Sequence, residues 1–163
     1  MKRLASIVLL LVVAPPAAMA GTKEVKAWDQ AAVTALGVEL AKNVEAVYDG
    51  AYKDPTGGDL LWFVGQPHHE FMDRLRLLRG EAIHYRSLLK KGGGRDATLP
   101  VVKRMNELHD DIIENSLQIH LDKPTPERLA ELKKLIIEIN AYYGYRAPWP
   151  DHSGFRQSLR GGA

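Results

Sequence analysis

The chain has no cysteine among its 163 residues. That excludes disulfides, thiolate metal ligands, a cysteine nucleophile and the lipid-bearing cysteine of an exported lipoprotein. Charge of one sign is also missing: 22 Lys and Arg stand against 20 Asp and Glu. A nucleic-acid binder that works by neutralising phosphates needs a basic surplus, so the sequence predicts no nucleic-acid partner. No apolar run approaches the roughly 20 residues a bilayer-spanning helix takes, so no membrane span is expected. No nucleophile is paired with a base, and no strand-turn-helix phosphate loop occurs. Gly92-Gly93-Gly94 lacks the following Lys-Ser/Thr such a loop requires. The expected protein is not an enzyme.

What is present begins with a targeting segment. Lys2 and Arg3 make a positive start, Leu4 to Val13 is an apolar stretch broken by Ser6, and Ala18-Met19-Ala20 has the small-x-small pattern of a signal-peptidase site. The expectation is a signal peptide over 1–20, cleavage after Ala20, and a periplasmic or secreted chain. Those twenty residues hold Lys2 and Arg3 and no acid, so their removal leaves 20 basic against 20 acidic residues, net zero.

Residues 21–146 read as one antiparallel up-down-up-down four-helix bundle, all-α, with an irregular tail over 147–163. The first helix is expected from about Glu24 to Tyr52, with Val33, Leu36, Leu40, Val44, Val47 and Ala51 on its apolar side. The second starts at Pro67 and carries Phe71, Leu75, Leu78, Ala82, Tyr85 and Leu89 at alternating steps of four and three, which is a bundle seam. The third is expected to start at Thr98 as N-cap, with Val101, Met105, Leu108, Ile112, Asn115 and Ile119 inward. The fourth is announced by Thr125-Pro126-Glu127, a cap, a proline and an acid, followed by Leu129, Leu132, Ile136, Ile139 and Tyr143. Short links between the second, third and fourth helices force antiparallel neighbours.

Candidate sites follow from this topology. Antiparallel pairing of the second and third helices sets His68 level with His120, with His69, Glu70 and Asp122 at the same end. Imidazoles and a carboxylate so gathered suit Zn²⁺, Cu²⁺ or Ni²⁺; His68, His69, His120 and Asp122 are the candidate ligands. A di-metal carboxylate site is not expected, because Glu81-Ala-Ile-His84 is a single Glu-x-x-His and lies off the seam. Gly80 is expected to make room for His109, and Asn115 with Ser116 to fix bundle register. The apolar stretch Leu60 to Val64, with Leu61, Trp62 and Phe63, and Trp149 in the tail are candidate contacts for a homodimer or a periplasmic protein partner.

Asn140-Ala-Tyr-Tyr-Gly-Tyr-Arg146, with the size, helix order and leader, resembles the soluble four-helix cytochromes of c-prime and small b type. The c-prime proteins end helix four with Cys-x-x-Cys-His-x-x-Tyr-Arg. Tyr145 and Arg146 match the last pair, whereas Glu138, Ala141 and Tyr142 stand where the haem-attachment residues would be. The methionine on helix one and histidine on helix four of the b-type are also missing. The resemblance implies the bundle fold and, as an alternative function, a haem-binding electron carrier in which Tyr142 or Tyr143 replaces the usual ligand.

Overall fold

The structure, a computed structural model, describes residues 25–53, 65–117, 119, 121 and 125–145. The expected targeting segment, Leu61, Trp62, Phe63, His120, Asp122 and Trp149 lie outside the described residues. Four helices are present, α1 (Gln30–Tyr52), α2 (Gly65–Lys90), α3 (Arg95–Ser116) and α4 (Thr125–Tyr143), with no strand among the described residues. α1 packs on α2 and α4, and α3 on α2 and α4, so the helices form a closed ring with α3–α4 its thinnest side. Partner numbers run in opposite directions on adjoining helices. Gly37 abuts Leu89 while Glu45 pairs with Arg79, and Thr98 meets Tyr143 while Asn106 meets Asn140. Each such pair of neighbours is antiparallel. No helix among the described residues is long and apolar enough to cross a membrane.

The periodic stripes form one core. All six seam residues of α2 are buried, as are Val33, Leu40, Val44, Val47 and Ala51 of α1, Met105, Leu108 and Ile112 of α3, and Leu129, Leu132, Ile136 and Ile139 of α4. Burying these stripes, rather than helix propensity, supplies most of the stability of such helices.

Several boundaries differ from the sequence reading, each for a local reason. α1 starts at Gln30, not Glu24, because the Asp29 carboxylate accepts the Ala32 N–H at 3.0 Å and sets the cap there. α3 starts at Arg95 with Gly94 as cap. Thr98 is therefore one turn inside the helix. It is fully buried, and its hydroxyl donates back to the Gly94 carbonyl at 2.8 Å. α2 begins at Gly65, two residues before Pro67. α2 and α4 stop where the chain adopts positive φ, at Gly92 (φ 82°) and Gly144 (φ 63°), a conformation that side-chain-bearing residues avoid.

The glycine assignment is corrected. Gly80 is exposed, and a Cβ there would meet nothing within 4 Å, so it does not make room for His109. The close-packed helical glycine is Gly37, whose added Cβ would lie 2.8 Å from Leu89 Cδ1 and 3.3 Å from the Tyr85 ring. His109 itself is 1% exposed, with Nδ1 3.7 Å from the Asp110 carboxylate.

Candidate functional site

The two ends of the bundle are built differently. At the end where α1 and α3 start and α2 and α4 finish, polar groups close on one another. Tyr143 reaches in from the last turn of α4. Its hydroxyl lies 2.6 Å from Thr98 Oγ1 and 3.0 Å from the Tyr85 hydroxyl. Trp28 meets the Tyr143 ring edge-on at 5.5 Å and donates its indole N–H to Gln30 Oε1 at 3.0 Å. Gln30 Nε2 donates to the carbonyl of Leu89 in the last turn of α2 at 3.1 Å, an oxygen that also accepts the Gly92 N–H at 3.0 Å. The segment before α1 is pinned by the Lys26 N–H donating to the Ala141 carbonyl at 2.9 Å and by Arg95 donating to the Lys26 carbonyl at 3.0 Å. Two turns deeper, Asn106 and Asn140 form a reciprocal pair, each Nδ2 donating to the other's Oδ1 at 2.9 and 2.7 Å, both side chains buried.

This end governs what Tyr142 and Tyr143 can do. Burial pushes the Tyr143 phenol above the ordinary tyrosine range, opposed by its bonds to Thr98 and Tyr85 and by the charge of Arg95. Tyr85 is raised further, by burial first and then by its bond to Tyr143. Both hydroxyls are held as neutral phenols, whereas tyrosinate is the form that ligates haem iron. Tyr142 is half-buried, with the Lys26 ammonium 5.1 Å from its ring centroid. The motif that carries the cytochrome resemblance thus caps the core in this chain, with Asn140 and Tyr143 as its inward members.

The opposite end carries the histidines. His68 is half-buried and His69 exposed in the opening turn of α2, their rings edge-to-face with centroids 6.4 Å apart. One turn further along, Arg74 pairs with Asp111 of α3 at 3.2 Å, which aligns the start of α2 with the end of α3. Ile119 and Leu121, on either side of His120, pack against the core. Among the described residues no group of three or more His, Cys, Asp or Glu is placed to hold a metal ion. Glu81 is half-buried and His84 exposed on the outer side of α2, away from the seam.

The sequence reading missed the Asn106–Asn140 pair and named Asn115 instead, which is only half-buried. A signal did exist: Asn106 lies one residue from Met105 and Asn140 one residue from Ile139, both seam positions on neighbouring helices. The fold and these two ends define an all-α antiparallel four-helix bundle with one closed, polar-locked end. Compared with known proteins, the chain matches no family model, no curated protein and no solved structure.

Proposed function

We propose that this is an exported, non-enzymatic binding protein that takes up a divalent transition metal at the bundle end where α2 begins and α3 finishes. The observation that carries the reading is the His68–His69 pair in the opening turn of α2, one imidazole half-buried and one exposed. The Arg74–Asp111 ion pair supports it, since it aligns the opening turns of α2 with the closing turns of α3. The chain continues from there through Ile119 and Leu121, which pack against the core, and in this reading His120 and Asp122 share that end. In this reading His68 and His120 bind the metal, and His69 and Asp122 complete a four-ligand shell of nitrogen and oxygen donors suited to Zn²⁺ or Cu²⁺.

The test is a thermal melt of the protein with ZnCl₂, CuCl₂ or NiCl₂ and after chelation. A ligand that binds only the folded state adds about 2.7 kcal/mol of stability at a hundred times its Kd. The expected result is a rise in Tm with one of these metals that His68→Ala and His120→Ala each abolish. No shift with any of the three metals, or a shift that both variants retain, refutes the reading. The haem alternative has no comparable support, because Tyr143 is engaged in closing the core and is held protonated.

A further inference from the structure

The short segment ahead of α1 crosses the side of the ring that is packed least. α3 and α4 share that thinnest side, and the Thr98–Tyr143 and Asn106–Asn140 bonds run across it. Residues 25–28 touch both helices at its closed-end mouth. On α4, Val25 occupies the space a Gly144 side chain would need, with Cγ2 2.7 Å from the position of an added Cβ. The Lys26 N–H donates to the Ala141 carbonyl at 2.9 Å, its ammonium lies 3.9 Å from the Glu138 carboxylate, and Trp28 meets the Tyr143 ring. On α3, Arg95, the first residue of the helix, donates to the Lys26 carbonyl at 3.0 Å. Lys26 is therefore bonded to one helix through its N–H and to the other through its carbonyl.

These attachments are of a kind that can be released without unfolding the bundle. Val25 is 46% exposed, and the Lys26 and Glu138 side chains are about half exposed, where an ion pair contributes little. α1 has its own cap in Asp29, whose carboxylate accepts the Ala32 N–H, so detaching the residues before it leaves α1 whole. The seam residues of α2, by contrast, are buried along their whole length.

We infer that residues 25–28 form a releasable latch, and that lifting it opens the bundle between α3 and α4. The opening runs from Thr98 and Tyr143 toward the Asn106–Asn140 pair and admits solvent to those two amides. The α1–α2 and α2–α3 sides stay packed. An opening that gives up few buried contacts needs less free energy than global unfolding, so it is populated more often. The metal reading plays no part in this inference.

Native-state amide hydrogen exchange on the full exported chain tests it. An added Gly144 Cβ would stand 3.8 Å from Val25 Cβ, the usual separation in a disulfide, and the chain has no other cysteine. Val25→Cys/Gly144→Cys therefore fastens the latch when oxidised and frees it when reduced. In the reduced form, amides beside the Asn106–Asn140 pair are expected to exchange at least about tenfold faster than those of the α2 seam. Oxidation should close that gap. Lys26→Pro, which removes the N–H bonded to Ala141, should widen the gap in the otherwise natural chain, and Lys26→Ala, which keeps the N–H, should widen it less. The inference is overturned if the two sets of amides exchange alike in the reduced form. It is also overturned if the gap survives oxidation, or if Lys26→Pro speeds the α2 seam as much as the mouth.

Discussion

The two ends of this bundle put similar residue types to different uses. Where α1 begins, Trp28, Gln30, Tyr85, Thr98 and Tyr143 satisfy one another or the carbonyls of neighbouring helix ends, and the Asn106–Asn140 pair continues the network inward. Where α2 begins, His68 and His69 stand at the rim, half-buried and exposed. The difference separates polar groups that hold the fold from those on which the metal proposal rests. At the first end each hydroxyl and amide is committed to a partner from another helix, so any ligand there must break a bond already made. At the second end His68 is half-buried and His69 exposed in the opening turn of α2, the pair on which the metal proposal rests.

Perturbing the closed end should cost the most. Tyr85→Ala removes a buried ring and the hydroxyl that meets Tyr143, and a loss on the order of 3–5 kcal/mol is expected in urea unfolding. Asn140→Leu leaves the buried Asn106 amide with the Val102 carbonyl as its remaining partner, and should cost about 1–3 kcal/mol. The double variant Asn106→Leu/Asn140→Leu should recover most of that loss, because neither buried amide is then left unpaired. A double variant as unstable as the sum of the two singles contradicts the pairing.

Alkaline pH should act at the same end. Tyr85 and Tyr143 have folded-state pKa values raised above the ordinary 10.0, so the unfolded chain loses these protons first. Their contribution is complete below about pH 10 and falls as pH climbs toward the folded values. Urea midpoints measured at pH 9 and pH 11 should drop, and the drop should shrink in Tyr85→Phe/Tyr143→Phe.

Smaller effects sharpen the contrast from the middle and the far end. Gly80→Ala should raise the stability of the single chain by about 1 kcal/mol, since helix propensity improves and nothing is displaced. Gly37→Ala should not share that gain, because its Cβ meets the buried Leu89 Cδ1 at 2.8 Å and the Tyr85 ring at 3.3 Å. His69→Ala, at an exposed position in the opening turn of α2, should change stability in the absence of metal by no more than about 0.5 kcal/mol.

The apolar stripes were legible because period and burial coincide. Each step of three or four from Phe71 to Leu89 lands in the core, and the same holds from Leu129 to Ile139. Connection length then settled which helices adjoin. What could not be read is what depends on a partner from a distant part of the chain. Asn106 alone resembles any polar residue beside a seam, and only the approach of α4 makes it a buried half of a pair. Gly37 and Gly80 look alike in sequence, and the neighbours that distinguish them lie on another helix. Thr98 has the residue type of a cap, but its hydroxyl is drawn to Tyr143 across the core end. Trp28 falls within the span expected for the first helix, but it precedes that helix and meets the Tyr143 ring edge-on.

Two-dimensional NMR of the histidine, tryptophan and tyrosine rings during a Zn²⁺ titration tests most directly whether the α2 entrance binds while the opposite end only holds the fold. The His68 and His69 ring signals should move and saturate at one metal per chain, with those of Trp28, Tyr85 and Tyr143 unchanged. Stationary histidine signals, or movement centred on the tyrosines, would contradict the assignment.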